Sequence, residues 1–260
     1  MNTFDIVKYL TALAGGKLDR DEGLHFGIPD QEIKGITLCW MADKNAIEFA
    51  ADKGTNLIVT HESLFYPYDI VVNGGQPDFM SWKVNQNRIR ALSAAGLSVI
   101  RFHGSLDIYC IFDTFAAQLG LGDPVISKGP YEKVFEMQPV AYSELIQQVK
   151  TVVGMPLIRV SPGNPDRIIR RVGLTWGGMG LFVNVRYMQS LVDLGCEVLI
   201  GGETDDYAMH FASESGLDII ETSHELSENK GIEQFAAIMR RDLPGIDVVY
   251  YENKIPWKVV

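Results

Sequence analysis

The chain contains little cysteine, and no two of its cysteines stand at the spacing of a Cys-x-x-Cys pair. An odd number of cysteines cannot all be bridged, which favours a reducing compartment in which they serve as small buried side chains. The sequence also lacks any run of the ~18 apolar residues that a membrane span needs. Its first residues lack the basic and apolar segments of a signal peptide, so we expect a cytoplasmic protein. The cysteines are Cys39, Cys110 and Cys196.

Positive charge is scarce, because 23 Lys and Arg face 33 Asp and Glu, for a formal net charge of −10. A broad nucleic-acid face must neutralise phosphates with Lys and Arg, and the one basic cluster, RIIRR at 167–171, is too small for that. The fractions of hydrophobic residues (47%) and charged residues (22%) are those of a globular protein. The length of 260 residues fits one large domain or two modest ones.

Short apolar runs alternate with amphipathic stretches, which is typical of an α/β protein. The runs are rich in Ile, Val and Leu without strict alternation, as in strands that are covered on both faces. The predicted strands are 36–40, 56–59, 97–102, 157–160, 169–175, 197–200, 217–221 and 247–251. The predicted helices, each with an apolar stripe, are 43–53, 141–153, 182–194 and 229–241.

Two segments of the sequence, 35–63 and 172–204, are similar to each other. Each contains a strand that ends near a Trp, a helix, a Gly break and an apolar strand that enters a polar turn. Each is followed by Gly, an apolar strand and a His, at 96–107 and at 216–228. This pseudo-repeat predicts two similar α/β domains that face each other across a central cleft, since open α/β sheets bind ligands beyond the carboxyl ends of their strands.

A domain boundary is predicted near 120–133, where two Pro and three Gly interrupt the periodicity. We expect an N-terminal domain over 1–125, which the segment 210–260 could join in space, and a second domain over 126–260. The long irregular stretch at 67–83 is either a functional loop or a solvated excursion.

Three of the five histidines follow a predicted strand and have a carboxylate at short range. Imidazole and carboxylate groups are ligands that suit Zn, Mn and Fe. A single His at a strand end is usually structural, but three in this arrangement favour a shared metal site. Six such ligands are enough for two ions about 3.5–4 Å apart that share a carboxylate. The predicted ligands are His61, Glu62, His103, Asp107, His224 and Glu228.

Other polar residues have two interpretations each. Glu203, in a Gly-Gly-Glu-Thr turn, is either a general base or a cap for the next helix. The turn TWGGMG at 175–180 is either an anion-binding backbone or a simple tight turn, because it matches neither GxGxxG nor a Walker loop. We interpret His25, in a polar loop, and His210, within a helix, as structural.

Four aromatic side chains beside the predicted strands either wall a pocket for a flat ring or belong to the core. These residues are Trp40, Phe65, Tyr66 and Trp176.

In their order and spacing, the segments LIVTHESLF, VIRFHGSLD, LIGGET and IIETSHELSE resemble the NIF-three family, also called GTP cyclohydrolase I type 2-like, over nearly the whole chain. The resemblance implies two similar α/β domains around a dinuclear metal site, and assembly into a toroidal homohexamer. Glu203 matches the acid of the family's Thr-Gly-Glu turn, and Glu228 holds the place from which a carboxylate bridges both ions. The positions that match the family's metal ligands are His61, His103, Asp107, His224 and Glu228.

The chain departs from the family pattern at two places. Glu62 replaces the second His of a His-His pair, which should favour Mn, Fe or Mg over Zn. Asp205-Asp206-Tyr207 stands where the family has paired His, which argues against an activity that needs those imidazoles, including GTP ring opening.

These features predict a divalent-metal-binding protein that acts as a metal-dependent hydrolase. The resemblance implies its substrate class, a nucleotide or another phosphorylated small molecule. Glu203 is the predicted catalytic residue, and two divalent ions are the predicted cofactors. The alternative is a non-enzymatic, oligomeric metal-binding scaffold or regulatory protein, since two histidine positions are altered and no substrate-specific motif is present. The acidic charge disfavours a third class, a DNA-associated regulator.

Overall fold

The computed structural model describes residues 1–67 and 77–259, which form two compact units. Unit 1 contains Met1–Cys110 and Ile232–Asn253, and unit 2 contains Ile111–Gly231 and the chain from Lys254 onward. The first change of unit lies between Cys110 and Ile111, whereas the sequence pattern predicted a boundary between residues 125 and 126. The segment Ile111–Gly231 of unit 2 is thus inserted between the two segments of unit 1.

Unit 1 is an α/β unit around a five-stranded sheet in the order β1-β4-β3-β2-β11. All neighbouring strands are parallel except β1, which is antiparallel to β4. The strands are β1 Gly23–Phe26, β2 Gly35–Cys39, β3 Leu57–Thr60, β4 Ser98–Arg101 and β11 Asp247–Tyr251. The helices are α1 Thr3–Leu13, α2 Lys44–Asp52, α3 Lys83–Ala95 and α4 Gly104–Leu106, and a 3-10 turn covers Pro77–Ser81.

Unit 2 contains a six-stranded mixed sheet in the order β5-β6-β8-β9-β10-β7. Its central strands β8, β9 and β10 are parallel, and the other pairings are antiparallel. The strands are β5 Ile126–Ser127, β6 Lys133–Ala141, β7 Arg159–Val160, β8 Ile168–Thr175, β9 Val198–Gly201 and β10 Asp218–Glu221. The helices are α5 Phe112–Gln118, α6 Tyr142–Val153, α7 Val185–Asp193 and α8 Asp206–Glu214, and a 3-10 turn covers Phe182–Asn184.

Two helical segments carry the chain between the units. A π-helical turn at Asp107–Ile111 joins α4 to α5. The longest helix of the described chain, α9 His224–Asp242, begins in unit 2 and ends in unit 1. Among the described residues, no helix is long and apolar enough to span a membrane.

The α/β class and its two sheets confirm the prediction from the sequence, and each predicted strand overlaps an observed one. The middle strands are buried over their whole length because helices cover both faces of such sheets. The predicted helix 43–53 is α2, which Asp43 caps by accepting from the backbone N–H of Ala46 at 2.8 Å. The predicted helix 141–153 is α6, which ends at Gly154 with φ +71°.

Two sequence-based placements differ from the structure, and a third lies partly outside the described residues. His25 lies on strand β1, not in a loop. The helix predicted at 229–241 already begins at His224, because the Ser223 hydroxyl accepts from the backbone N–H of Leu226 at 3.2 Å. Of the irregular stretch predicted at 67–83, the part from 68 to 76 lies outside the described residues.

Candidate metal centre

The first candidate site lies at the carboxyl ends of strands β3 and β4 in unit 1. Beyond the end of β3, the backbone N–H of His61 donates to the Cys39 carbonyl at 3.2 Å, and that of Glu62 donates to the Trp40 carbonyl at 2.7 Å. These bonds continue the strand pairing and hold both side chains on a rigid edge. The His61 ring and the Glu62 carboxylate are buried.

His61, His103 and Asp107, which we call the unit 1 cluster, offer ligand atoms that lie within 4.8 Å of one another. The two imidazole ring centres are 4.9 Å apart, and His61 Nε2 is 3.7 Å from Asp107 Oδ1. Asp107 reaches this position because a helix begins at Gly104. His103 and Asp107 are four residues apart, so they lie about one helical turn from each other.

Hydrogen bonds fix the same tautomer in both histidines of the unit 1 cluster. His61 Nδ1 is 3.3 Å from the Phe102 carbonyl oxygen, and His103 Nδ1 is 2.9 Å from Asp21 Oδ2. A carbonyl and a carboxylate only accept hydrogen bonds, so each Nδ1 donates. In the neutral imidazole, each Nε2 then carries the lone pair that a cation can use. An imidazole whose other nitrogen is bound to a protein acceptor is typical of metal ligands.

Three residues that sequence reasoning missed surround the unit 1 cluster: Asp21, Glu22 and Arg101. Glu22 accepts from the backbone N–H groups of His103 and Ser105, at 2.8 and 2.9 Å. The hydrogen bond from His103 and the nearby Arg101 guanidinium lower the pKa of Asp21 to about 2. The local sequence gave no signal for these partners, because Asp21 and Arg101 are eighty residues apart in the chain.

The second candidate site lies in unit 2, where α9 begins after strand β10. His224 Nδ1 is 3.1 Å from Glu203 Oε2, and His224 Nε2 is 3.4 Å from Glu228 Oε1. Glu203 thus selects the same tautomer that the two unit 1 histidines have, and Nε2 faces a buried carboxylate. We call His224 and Glu228 the unit 2 pair. They share one face of the helix because they are four residues apart.

The Gly-rich turn after β8 packs against the unit 2 pair. The Gly177 N–H donates to the Ser227 hydroxyl at 2.8 Å, and its carbonyl accepts from the Glu203 N–H at 2.8 Å. A Cβ on Gly202 would lie 2.5 Å from the Gly177 carbonyl oxygen. The N–H of Met179 also donates within the turn, to the Trp176 carbonyl. These bonds favour the interpretation as a tight turn, because they engage N–H groups that an anion would need.

Glu203 is not the cap of helix α8. Asp205 is the N-cap residue, and its carboxylate accepts from the backbone N–H of Ala208 at 2.9 Å and from that of Phe182 at 3.0 Å. Glu203 itself accepts from His224 and is half exposed. Glu203 is therefore a carboxylate that orients the His224 imidazole.

Of the four aromatic residues singled out from the sequence, Phe65 and Trp176 belong to the cores of the two units, and Trp40 is half-buried. Trp176 is buried against the rings of Phe112 and Tyr131, with ring centres 4.9 and 4.5 Å away. Phe65 is buried in the unit 1 core. Tyr66 is partly exposed, and the Arg88 guanidinium lies over its ring at 4.8 Å. All three cysteines are buried, as predicted.

The donor atoms of the unit 1 cluster fit a divalent cation, and the unit 2 pair repeats one of its imidazole–carboxylate contacts. In each unit an imidazole Nε2 lone pair faces a buried carboxylate oxygen, at 3.7 Å in unit 1 and 3.4 Å in unit 2. Both distances exceed the about 2.7–3.2 Å of ordinary N–H···O hydrogen bonds. Two ligand atoms that are each about 2.1 Å from one ion lie roughly 3 to 4 Å apart. Among the described residues, the carboxylates of Asp21, Glu22, Glu62 and Asp107 lie around the unit 1 cluster, and the Arg101 guanidinium pairs with the first and third of them. This leaves an excess of negative charge that a cation would neutralise.

Comparisons with known proteins agree with the resemblance to the NIF-three family. The sequence model of the family described as Duf34/NIF3 (NGG1p interacting factor 3) matches residues 1–256. A Neisseria meningitidis serogroup B protein named GTP cyclohydrolase 1 type 2 homolog is 26% identical over 227 residues, which cover 83% of this chain and 82% of that protein. A Chlamydia pneumoniae protein of the same name is 23% identical over 266 residues, which cover 99% of this chain and 100% of that protein.

A solved structure shows the same fold. The crystal structure of a Bacillus cereus protein related to NIF3 matches this chain with a TM-score of 0.81 and 13% identity. The match covers 100% of this chain and 99% of that one.

Proposed function

Because the chain belongs to the Duf34/NIF3 family, we propose that it is a divalent-metal-dependent hydrolase that acts on a nucleotide or another phosphorylated small molecule. The observation that carries this proposal is the unit 1 cluster, in which two imidazoles with fixed tautomers and a buried carboxylate offer ligand atoms within 4.8 Å. The names of relatives, GTP cyclohydrolase 1 type 2 homolog, support the nucleotide class.

Each residue of the proposed site has a defined role. His61, His103 and Asp107 would hold a divalent ion in unit 1, with Glu62 beside them. Within unit 2, the unit 2 pair would offer an imidazole and a carboxylate of its own. A bound divalent ion supplies Lewis acidity, because it lowers the pKa of a water from about 15.7 to near 7 and attracts phosphate oxygens. Glu203 keeps the His224 lone pair on Nε2 by accepting from Nδ1. The predicted dinuclear centre, with Glu228 as the bridging carboxylate, stays a prediction, as does the homohexamer.

The test is the metal content of purified variants. In the proposed function, Asp107→Ala and Glu228→Ala each lose bound Mn, Fe, Zn or Mg relative to the unchanged protein, as measured by elemental analysis. Asp113→Ala is the matched control, since Asp113 is an exposed carboxylate in an ion pair with Lys133, and it should keep the full metal content. Unchanged stoichiometry in both site variants would remove this site from consideration.

One observation favours a second candidate, a non-enzymatic metal-binding scaffold. Two of the carboxylates that follow strand β9 are already engaged: Glu203 accepts from His224, and Asp205 caps α8. Proton transfer by either of these two carboxylates in a hydrolytic step would need it to change partner. A turnover screen of metal-loaded protein against nucleotides separates the candidates, because inactivity across a broad panel with metal retained favours the scaffold.

A further inference from the structure

The guanidinium of Arg101 is fully buried beside the unit 1 cluster and contacts three different groups there. Its Nε donates to the His61 carbonyl oxygen at 3.1 Å. One terminal nitrogen lies 2.8 Å from Asp21 Oδ2, and the other lies 3.7 Å from Glu62 Oε2. Arg101 is the last residue of strand β4, so its backbone is fixed by the parallel pairing with Thr60 of β3.

Through these contacts the Arg101 side chain binds groups that hold both histidines of the unit 1 cluster. The bond to the His61 carbonyl fixes the turn that carries the first ring. The ion pair with Asp21 fixes the carboxylate to which His103 Nδ1 donates. The third contact fixes Glu62, the carboxylate that follows His61 in the sequence.

A positive charge beside a cation site has two effects of opposite sign. Coulomb repulsion between the guanidinium and the cation weakens binding. Placement of the ligands and of their hydrogen-bond partners strengthens binding, because groups that orient metal ligands change metal affinity by roughly 10- to 100-fold. Since the signs differ, substitution of Arg101 shows which effect is larger.

We propose that Arg101 is a positioning residue whose net effect is to raise the affinity of the unit 1 cluster for a divalent cation. The inference rests on the proposed function, since it concerns the same ligands. Lysine cannot make the same three contacts, because its ammonium is a compact point charge. The planar guanidinium reaches a carbonyl and two carboxylates in fixed directions.

The experiment compares Arg101→Lys and Arg101→Met with the unchanged protein in calorimetric titrations with Mn²⁺. Both variants should bind Mn²⁺ about 10- to 100-fold more weakly. The proposal is overturned if Arg101→Met binds Mn²⁺ more tightly and Arg101→Lys binds it equally, which is the pattern of a charge effect alone. Equal affinity in all three proteins also overturns it.

Arg88 provides the matched control, because it is another buried arginine of unit 1 and contacts no predicted ligand in the described structure. Its guanidinium donates to the Leu64 carbonyl and lies 3.4 Å from Met41 Sδ. Arg88→Lys and Arg88→Met should lower the thermal stability while the affinity for Mn²⁺ stays unchanged. Equal losses of Mn²⁺ affinity in the Arg88 and Arg101 variants would mean that general loosening of unit 1 is responsible.

A metal-free measurement keeps this inference separable from the proposed function. Nuclear magnetic resonance of the imidazole nitrogens should show protonated Nδ1 in both His61 and His103 of the unchanged protein. In Arg101→Lys, His103 should populate both tautomers, whereas the Arg88 variants should not differ from the unchanged protein. If the unchanged protein binds no Mn²⁺, the proposed function fails, and unchanged imidazole signals in Arg101→Lys then refute the positioning role as well.

Discussion

Gly177 lies so close to Glu228 that a Cβ atom on the glycine would be 2.0 Å from the carboxylate oxygen Oε1 and 3.0 Å from His224 Nε2. The glycine also has a φ of +51°, in the left-handed region. The backbone at Gly177 therefore lies directly against the unit 2 pair, and a side chain at this position would have no room.

The first prediction concerns this close approach. Gly177→Ala should displace the Glu228 carboxylate and lower the metal content, and the positive φ should cost roughly 1–2 kcal/mol of stability. Gly54→Ala is the matched control, because Gly54 has φ +71° and open space around its missing Cβ. It should show a similar loss of stability with full metal content. Elemental analysis and urea unfolding measure the two effects, and full metal content in Gly177→Ala would contradict the prediction.

The second prediction separates Glu203 from Asp205. Glu203→Ala removes the acceptor of His224 Nδ1, so metal affinity should fall about 10- to 100-fold while the stability changes little. Asp205→Ala removes the cap of α8 and should cost about 1 kcal/mol of stability with unchanged metal affinity. Calorimetric titration with Mn²⁺ and urea unfolding give both quantities. The reverse pattern would make Glu203 the structural residue of the two.

The third prediction concerns metal preference. Glu62→His exchanges an oxygen ligand for a nitrogen ligand, and imidazole suits Zn better than carboxylate does. The ratio of the affinities for Zn²⁺ and Mn²⁺ should rise by about tenfold or more, which corresponds to about 1.4 kcal/mol. Competition between the two ions, read by elemental analysis, checks this ratio. Glu136→His, at an exposed position in an ion pair with Arg171, should leave the ratio unchanged.

The fourth prediction concerns the buried thiols. Burial raises the pKa values of Cys39 and Cys196 to about 12, against about 8.5 in an unfolded chain. Between these values the folded state keeps the thiol protons and the unfolded state releases them. The contribution of the thiols to stability is therefore complete below about pH 8.5 and falls above it, by at most about 1.4 kcal/mol per pH unit for each thiol.

Urea unfolding at pH 7.5 and 9.5 measures this effect. Cys196→Ala should lose less stability between the two pH values than the unchanged protein does. In the folded protein at pH 8, Cys39 and Cys196 should resist iodoacetamide, whereas both should react in guanidinium chloride. Rapid labelling of Cys196 in the folded protein would refute its raised pKa.

The strands that the sequence predicted are those in which Ile, Val and Leu follow one another, because burial on both faces requires it. Strand β6 could not be found in this way. Pro139 lies within it, and proline disfavours an interior strand. The structure accommodates it at an irregularity in the pairing with β8, between Glu136 and Val140.

Part of the candidate site could also be predicted, since His61, His103 and Asp107 follow strand ends and strand ends place side chains rigidly. Arg101 and Asp21 could not. Their importance comes from an ion pair at 2.8 Å between distant parts of the chain, and neither hydrophobic periodicity nor a short motif indicates such a contact.

The insertion of the segment Ile111–Gly231 into unit 1 has a consequence for synthesis on the ribosome. Strand β11, which completes the parallel sheet beside β2, is translated only after every strand of unit 2. The nascent polypeptide therefore exposes the edge of β2 until translation reaches Asp247–Tyr251, and unit 1 cannot be expressed from one uninterrupted fragment of the gene.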